Sequence, residues 1–305
     1  MKYGSVEGLS KPVSRLVLGV DSQDNLETAA PLFDVFLSRG GNAFDTAWVY
    51  KSGASEAVFG DWMSRSRLRD QVVLIGKGAH TPRCTPEDLS LQLAESLERL
   101  RTDHLDVYLM HRDNPQVPVG EFVDVLNRHF RAGQMRVFGG SNWSLERLQA
   151  ASAYASKHGL EPFGAVSNQF SLAQMLEPSW AGCLGTDQAL RAWLTQTQTP
   201  LFPWSSQARG FFVRADPADR ADEELVRCWY SPANFARLER AQELARAKGL
   251  EPIQIALAYV LHQPFPTFPL VGCRSGAELD SSLGALEVAL TPQKVRWLEA
   301  GSALE

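Results

Sequence analysis

The sequence is poor in the residues that mark secreted, membrane-spanning or metal-binding proteins. It has only four cysteines, which are scattered and form no Cys-x-x-Cys pair: Cys84, Cys183, Cys228 and Cys273. This pattern argues against a disulfide framework and against a cysteine metal site. No stretch reaches the roughly 20 apolar residues of a membrane span, and the start lacks the apolar run of a signal peptide. We therefore expect a cytoplasmic protein.

Positive charge and reactive histidine or serine motifs are also scarce. The chain has 30 basic and 35 acidic residues, a net charge of −5, and its basic residues form no stripe. A phosphate backbone attracts clustered basic residues, so a nucleic-acid partner is not expected. The six histidines include no His-x-x-x-His pair, and no Gly-x-Ser-x-Gly elbow is present. These absences argue against a metal site and against a hydrolase of that type.

The chain does contain short apolar or β-branched runs, each followed by a helical pattern. These runs predict eight strands, at residues 15–20, 42–47, 72–77, 106–111, 136–141, 165–169, 200–204 and 267–272. A typical helix starts after Thr85, a plausible N-cap, with Pro86 at its first position and leucines recurring on one face. Eight such units in 305 residues, without a break in composition, predict an α/β fold. We expect one (β/α)8 TIM barrel domain spanning residues 1–305 rather than a doubly wound sheet.

Three further segments complete the predicted barrel. Residues 1–14 are expected to form an N-terminal hairpin, with Gly8 in its turn, that covers the closed end of the barrel. Residues 171–184 and 208–232 are expected to form long irregular loops after strands six and seven. Both loops carry aromatic residues, namely Trp180, Phe211, Phe212, Trp229 and Tyr230. In a barrel such loops lie over the substrate, although they could also be surface insertions.

Ionisable residues interrupt three of the predicted strands at their C-terminal ends. Asp45, Lys77 and His111 end strands two, three and four, and Tyr50 follows in the loop after Asp45. Taken singly, Asp45 could cap a turn, Tyr50 could fill the barrel mouth, and His111 could be a buried structural histidine. Lysine is rarely buried without a partner, so Lys77 requires a carboxylate or a function. Because barrel enzymes place their chemistry at this face, the four residues together predict one site.

The chemistry of these four groups suits proton transfer. Tyr50 is the candidate proton donor, and a neighbouring Lys77 ammonium would ease release of the phenolic proton. Asp45 would pair with Lys77, and His111 would hydrogen-bond the oxygen of a substrate carbonyl. Side chains cannot supply hydride, so a reduction at this site requires a cofactor.

At this point the sequence resembles the aldo-keto reductases. The segment from Phe44 to Gly60 matches the family's Phe-Asp-Thr-Ala followed by Tyr-x-x-Gly-x-Ser-Glu-x-x-x-Gly. Further matches follow in the family's order at the ends of the later strands, so that the resemblance spans essentially the whole chain. It implies that Asp45, Tyr50, Lys77 and His111 form the catalytic tetrad. It also implies a bound nicotinamide cofactor without a Rossmann domain.

The resemblance assigns a set of cofactor contacts, with NADPH as the preferred cofactor and NADH as a possible one. They are Ser141, Asn142, Gln169, Trp204, Ser205, Gly272, Arg274, Ser275, Glu278 and Ser282. Trp204 would stack on the nicotinamide ring, although it could alternatively be barrel packing. Two positions depart from the family's pattern, because Glu278 stands where some members have an arginine and Ser282 where many have asparagine. A carboxylate repels the 2′-phosphate of NADPH, whereas Arg274 could grip it.

The substrate is expected to be a small carbonyl compound, namely an aldehyde, a ketone or a sugar. Trp48, His111 and Arg209 are the candidate substrate contacts, and Asp21 could add a polar one. The expected reaction is carbonyl reduction, or oxidation of an alcohol or hemiacetal by the reverse route. A regulatory module that senses nicotinamide redox state is the alternative, and the oligomeric state stays open. An unrelated barrel lyase or isomerase does not explain the ordered matches at the nicotinamide site.

Overall fold

Parallel strands connected by helices form the framework of the computed structural model, which describes residues 1–301. A short antiparallel hairpin, β1 (Tyr3–Gly4) and β2 (Val13–Ser14), precedes them. The parallel strands are β3 (Val17–Gly19), β4 (Ala43–Asp45), β5 (Val73–Gly78), β6 (Leu105–Met110), β7 (Met135–Ser141), β8 (Ala165–Ser167) and β9 (Leu270–Val271). They form one curved sheet in the order β8-β7-β6-β5-β4-β3-β9. Consecutive strands are therefore neighbours, as in a barrel.

The predicted strand at 200–204 is the one that does not form a regular strand. Its residue Leu201 makes parallel bridges to Val166 on one side and Thr267 on the other. The sequence gives the reason, because Pro200 and Pro203 lack the backbone N–H that a regular ladder needs. The segment still joins the two edges of the sheet, so the chain folds as a (β/α)8 barrel.

Helices cover the outside of the sheet. In chain order they are α1 (Leu26–Ser38), α2 (Ala54–Arg65), α3 (Pro86–Leu100), α4 (Val119–Arg131), α5 (Leu145–His158), α6 (Gln188–Thr197), α7 (Phe211–Arg214), α8 (Glu223–Trp229), α9 (Pro232–Lys248), α10 (Pro252–Leu261), α11 (Gly276–Gly284) and α12 (Pro292–Ala300). Helix α3 begins as predicted, since the Thr85 hydroxyl accepts a hydrogen bond from the Asp88 amide. Its buried leucines then pack against the sheet.

The barrel interior is a separate apolar core from the one between strands and helices. It is filled by side chains from alternate positions of the strands, such as Val17, Ala43, Ile75, Leu109, Val137 and Phe202. Val6 and Val13 of the N-terminal hairpin join this core and are buried. Gly8 has a φ of +88° in the hairpin turn, a conformation that glycine adopts readily. The hairpin thus covers one end of the barrel, and the opposite end stays available for chemistry.

The two long connections differ from each other. Residues 171–184 are irregular, as predicted. Residues 208–232 were predicted to be irregular as well, but they contain a 3-10 helix (Ala208–Gly210) and the helices α7 and α8. The prediction was wrong here because these helices are too short to show a helical period. Helix α7 buries Phe211 and Phe212, and helix α8 buries Leu225, Cys228 and Trp229.

None of the helices within residues 1–301 is long and apolar enough to cross a membrane. The four cysteines are all buried, and none of them is disulfide-bonded.

Candidate active site

The alternation of side chains along the strands brings three of the predicted residues to one end of the barrel. Successive residues of a strand point to opposite faces, so every second residue points inward. Asp45, Lys77 and His111 each stand two positions after an apolar residue of the barrel interior, namely Ala43, Ile75 and Leu109. The apolar interior of the barrel therefore gives way to ionisable groups at the C-terminal ends of β4, β5 and β6.

Tyr50 reaches the same place from the loop after β4. It begins a 3-10 helix (Tyr50–Gly53) that leads directly into α2. The loop is tied to the neighbouring strand, since the Trp48 amide donates a hydrogen bond of 2.8 Å to the Lys77 carbonyl. The four residues predicted as a catalytic tetrad are therefore assembled by three adjacent strands and one loop.

The Lys77 ammonium lies at the centre of this group. Its Nζ atom is 2.5 Å from the Asp45 carboxylate and 3.3 Å from the Tyr50 hydroxyl oxygen. Asp45 and Lys77 are each only 2% exposed. The His111 imidazole lies edge-on to the Tyr50 ring, with 5.7 Å between the ring centroids. The structure thus brings together all four residues in one cluster.

For both Asp45 and Lys77, burial shifts the pKa in one direction and the neighbouring charge shifts it in the other. Burial raises the pKa of Asp45, and the Lys77 ammonium opposes that shift. Burial lowers the pKa of Lys77, but the Asp45 carboxylate and the Tyr50 phenol outweigh it, so that its pKa lies above the ordinary value. Lys77 is therefore positively charged at neutral pH and carries that charge next to the phenol.

The pKa of Tyr50 is raised to about 12, mainly by burial, while Lys77 acts in the opposite direction. Lys77 lowers the pKa of Tyr50, as expected, but burial raises that pKa by more. Tyr50 is therefore protonated at neutral pH, as a proton donor must be. The pKa of His111 lies well below its ordinary value, because of burial first and then the Lys77 and Arg112 charges. Its imidazole is neutral, and a neutral imidazole carries one N–H that can donate to a carbonyl oxygen.

Arg99 of α3 fixes the loop that carries Tyr50, a role that the sequence analysis missed. Its Nη1 atom lies 3.1 Å from the Trp48 carbonyl and 3.1 Å from the fully buried carboxylate of Glu56. The Arg99 guanidinium also fills the space beside Gly53, whose φ is +92°. In the sequence, Gly53 and Glu56 are recognisable as positions of the family's motif. Neither position indicates that an arginine of α3 contacts it.

Trp48, predicted to contact substrate, is held by the protein itself. Its indole N–H donates a 2.6 Å hydrogen bond to Glu95 of α3. Two guanidinium groups lie over its ring, with Arg83 at 5.5 Å and Arg99 at 5.7 Å from the centroid. Trp48 therefore forms part of the support of the Tyr50 loop.

The two long connections contact each other at the aromatic ring of Trp180. Trp180 of the first lies 6.1 Å from Trp204, measured between ring centroids, and Arg209 of the second lies 5.1 Å from the Trp180 ring. Arg209 also forms a 2.8 Å ion pair with Glu224. The predicted substrate contact Arg209 thus lies against Trp180, and Glu224 already neutralises its charge.

The predicted nicotinamide contacts are grouped at the ends of β7 and β8. Ser141 donates to the Ser167 carbonyl at 2.7 Å, and Gln169 donates to Ser171 at 3.0 Å. Asn142 has a φ of +60°, and its amide bridges the His111 carbonyl, at 3.2 Å, and the Leu184 amide, at 3.1 Å. Asn142 therefore links the tetrad to the 171–184 loop in this structure.

The predicted contacts for the adenosine part cluster around the start of α11. Ser275 is the N-cap of this helix and accepts from the Glu278 amide at 3.2 Å. The Glu278 carboxylate turns back and accepts a 2.7 Å hydrogen bond from the Arg274 amide. Ser282 is buried and accepts from Gln207, at 3.3 Å, which connects this segment with the residues after Trp204 and Ser205. A side-chain carbon added at Gly272 would meet no atom within 4 Å.

Two further residues near the tetrad were not singled out from the sequence. The His80 ring lies 4.9 Å from the His111 ring, between centroids, and its Nδ1 atom contacts the Thr81 carbonyl at 2.6 Å. Arg112 directly follows His111 and is buried. Both lie just beyond a strand end, where the inward alternation that reveals the tetrad no longer applies.

Comparison with known proteins identifies the family of this chain. The model of the aldo/keto reductase family matches residues 16–302, and the chain belongs to that family. Proteins of this family are oxidoreductases that act on carbonyl groups and use nicotinamide cofactors.

The similar proteins include enzymes from fungi and yeast. The putative aryl-alcohol dehydrogenase AAD14 of Saccharomyces cerevisiae is 27% identical, in a match that covers 90% of this chain and 77% of the yeast protein. The versiconal hemiacetal acetate reductase of Aspergillus parasiticus is 26% identical, over 98% of this chain and 96% of that protein. Among solved structures, the thermostable aldo-keto reductase Tm1743, crystallised with the inhibitor epalrestat, shares the fold. It has a TM-score of 0.76 and 21% identity, and the match covers 98% of this chain and 99% of that one.

Proposed function

We propose that this protein is an NAD(P)H-dependent oxidoreductase that reduces an aldehyde, ketone or sugar carbonyl, or oxidises the corresponding alcohol or hemiacetal. One observation carries the proposal. The Nζ atom of Lys77 contacts both the Asp45 carboxylate and the Tyr50 hydroxyl at the C-terminal end of the barrel. A buried, charged lysine beside a protonated phenol is an arrangement for moving one proton.

Each residue of the tetrad has a role in this reaction. A nicotinamide cofactor held at this site would supply the hydride for reduction of the carbonyl carbon. Tyr50 gives its phenolic proton to the carbonyl oxygen, and the product is the alcohol. Lys77 stabilises the phenolate that forms, and Asp45 keeps Lys77 charged and oriented. The neutral imidazole of His111 donates a hydrogen bond to the carbonyl oxygen and holds it near Tyr50.

The residues around the tetrad fit a nicotinamide cofactor. The indole N–H of Trp204 is buried and makes no hydrogen bond to residues 1–301. A buried donor without a partner is costly, and a ligand next to it would satisfy it. Trp204, Ser141, Asn142 and Gln169 would surround the nicotinamide. The open space at Gly272 would admit the adenosine part beside the start of α11.

We propose NADPH as the preferred cofactor and NADH as the second. Ser205, Gly272, Arg274, Ser275, Glu278 and Ser282 would contact the rest of the cofactor. Arg274 is the residue that would meet a 2′-phosphate, and its guanidinium is exposed. The Glu278 carboxylate beside it acts against that phosphate and reduces the preference.

The substrate is proposed to be a small carbonyl compound with an apolar or ring-bearing part. Trp180 and Trp204 offer aromatic surface at the mouth, and Trp180 is half exposed. Several relatives carry the name aryl-alcohol dehydrogenase, which refers to aromatic compounds. Such compounds are therefore the first to test.

The experiment mixes the purified protein with NADPH, and separately with NADH, and a panel of aromatic aldehydes, ketones and sugars. Loss of reduced-nicotinamide absorbance in the presence of a carbonyl compound supports the proposal and gives the cofactor preference. Cofactor binding without turnover on any carbonyl or alcohol would contradict it and would favour the regulatory alternative, for which the structure offers no specific observation.

A further inference from the structure

Arg112 carries a positive charge at the edge of the tetrad. It follows His111 directly, and only 6% of its surface is exposed. Its Nη1 atom donates a 2.9 Å hydrogen bond to the His111 carbonyl, so the guanidinium folds back over the strand end. The side chain is therefore buried beside the residue that would hold a substrate carbonyl.

The charge of Arg112 has no carboxylate partner within residues 1–301. Its sequence neighbour Asp113 is bound instead by Arg147, whose Nε and Nη2 atoms grip the two carboxylate oxygens at 2.8 and 2.9 Å. Burying a charge without a partner costs several kcal/mol in general. An uncompensated guanidinium at this position therefore points to a ligand.

The free edge of Arg112 has the shape that binds a carboxylate. Its Nε atom is buried without a hydrogen-bond partner, and among the described residues Nη2 has none either. Nε and Nη2 form one side of the planar guanidinium and present two parallel N–H groups, the pair that binds a carboxylate in bidentate fashion. Arg147 uses the same two atoms to bind Asp113 in this protein.

The other cations near the mouth are already paired. Lys51 contacts Asp24 at 3.4 Å, Arg83 contacts Asp88 at 3.0 Å, and Arg209 contacts Glu224 at 2.8 Å. Lys77 at the centre is neutralised by Asp45. Within residues 1–301, Arg112 thus differs from these cations because no carboxylate pairs with it.

The Arg112 charge lies close to His111 and His80. It contributes, after burial, to lowering the pKa values of both His111 and His80. A side-chain carbon added at Gly182 would lie 3.7 Å from its Nε atom. Arg112 therefore lies beneath the 171–184 loop, next to the two imidazoles.

From these contacts we infer that Arg112 binds a carboxylate group of the substrate, so that the enzyme prefers carbonyl compounds that carry one. This inference rests on the proposed function. A carboxylate on the Nε and Nη2 edge of Arg112 would anchor the substrate near His111, with its carbonyl oxygen directed towards Tyr50. The anchor would add affinity and orientation without taking part in proton transfer.

The test compares 4-carboxybenzaldehyde with its uncharged methyl ester, which has the same reactive aldehyde. Each is reduced by the wild-type protein with NADPH or NADH. We expect kcat/KM to be at least about 10-fold higher for the carboxylate, because charge-assisted hydrogen bonds are strong in a buried site. Equal values, or a preference for the ester, would overturn the inference. Absence of turnover with both compounds would instead count against the proposed function.

Two variants locate the effect. Arg112→Met should lower kcat/KM for the carboxylate by about 10-fold or more beyond any loss that it causes for the ester. Lys51→Met removes a cation at the mouth and should leave the ratio of the two substrates unchanged. Equal losses for both substrates in Arg112→Met would show that the residue only supports the His111 backbone, and a change in Lys51→Met alone would move the anion site to Lys51.

A third variant and a binding measurement cover the case in which Arg112→Met fails to fold. Arg112→Lys keeps the charge but not the two parallel N–H groups, and it should retain part of the carboxylate preference. Terephthalate, an unreactive dicarboxylate, should bind the wild-type protein with its cofactor by calorimetry at least about 10-fold more tightly than dimethyl terephthalate. Equal affinities would overturn the inference whatever the variants do.

Discussion

The Lys77 ammonium lies 3.3 Å from the Tyr50 hydroxyl oxygen while the Asp45 carboxylate holds it from the other side at 2.5 Å. A lysine in this position does two things at once. It compensates a buried carboxylate, and it provides positive charge where a phenolate would form. The stability of the fold and the chemistry of the site therefore depend on the same ion.

The double role of Lys77 can be separated by mutation. Lys77→Met leaves Asp45 buried without a counter-charge and should lower the free energy of unfolding by about 3–5 kcal/mol. The double variant Asp45→Asn with Lys77→Met removes both charges and should regain most of that stability. Both variants should lose at least about 100-fold in kcat, because the phenol lacks its cation in each. Urea unfolding and turnover measure the two quantities. Recovery of activity in the double variant would contradict this assignment.

The buried imidazole of His111 predicts a pH dependence of stability. Its pKa in the folded protein lies well below the ordinary value of about 6.5, which it regains on unfolding. Below pH 6.5 the unfolded chain therefore binds a proton that the folded protein does not, and stability falls as the pH falls. The contribution reaches about 1.4 kcal/mol per pH unit.

His111→Asn removes this proton uptake. Urea unfolding between pH 7 and about pH 5 should show a smaller loss of stability in His111→Asn than in the wild-type protein. His158→Asn, at an exposed position, serves as the control and should follow the wild-type curve. If the His111 variant lost stability with the wild-type slope, the imidazole would not be neutral in the fold.

The clamp of Arg99 on the Tyr50 loop predicts an unequal effect of two glycine substitutions. Gly53 and Gly159 both have positive φ, +92° and +63°. A side-chain carbon at Gly159 would meet no atom within 4 Å, whereas at Gly53 it would lie 2.6 Å from the Arg99 guanidinium. Gly159→Ala should cost about 1 kcal/mol from the backbone alone. Gly53→Ala should cost about 1–3 kcal/mol more from overpacking.

Gly53→Ala should also lower kcat, because displacement of Arg99 moves the loop of Tyr50, while Gly159→Ala should leave kcat unchanged. Thermal unfolding and turnover on the best substrate check both statements. Equal effects of the two variants on kcat would mean that Arg99 does not position Tyr50.

Glu278 predicts how the cofactor preference can be shifted. Its carboxylate occupies the Arg274 amide at the start of α11 and adds negative charge where a 2′-phosphate would bind. Glu278→Arg should therefore raise the affinity for NADPH relative to NADH by about 10-fold or more. Glu287 is exposed, and Glu287→Arg makes the same change of charge there. This variant is the control and should leave the ratio of the two affinities unchanged. Quenching of tryptophan fluorescence gives the dissociation constants, and an unchanged ratio would remove Glu278 from the cofactor site.

Three residues of the tetrad could be predicted from the sequence because their positions follow from the strand period, whereas Tyr50 lies in a loop. Asp45, Lys77 and His111 fall on the inward positions of strands whose preceding inward residues are apolar, so that their meeting needs no knowledge of the helices. The barrel and its hairpin follow from the same alternation. The irregular segment at 200–203 departs from it because of its prolines.

The supporting contacts could not be predicted in this way. Arg99 meets the Tyr50 loop from α3, and Arg209 is neutralised by Glu224 from α8. Such pairings depend on how side chains of distant elements meet, which leaves no local period in the sequence. Arg112 shows the same limit, since its lack of a partner becomes visible only when Asp113 is seen bound to Arg147.

Replacement of the Tyr50 hydroxyl tests the proton-transfer assignment most directly. Tyr50→Phe keeps the ring beside His111 and removes only the group that contacts Lys77. With the best carbonyl substrate, we expect kcat to fall by at least about 100-fold while the dissociation constant of the cofactor changes by less than about 3-fold. A Tyr50→Phe variant that keeps the wild-type kcat would contradict the assignment of Tyr50 as the proton donor.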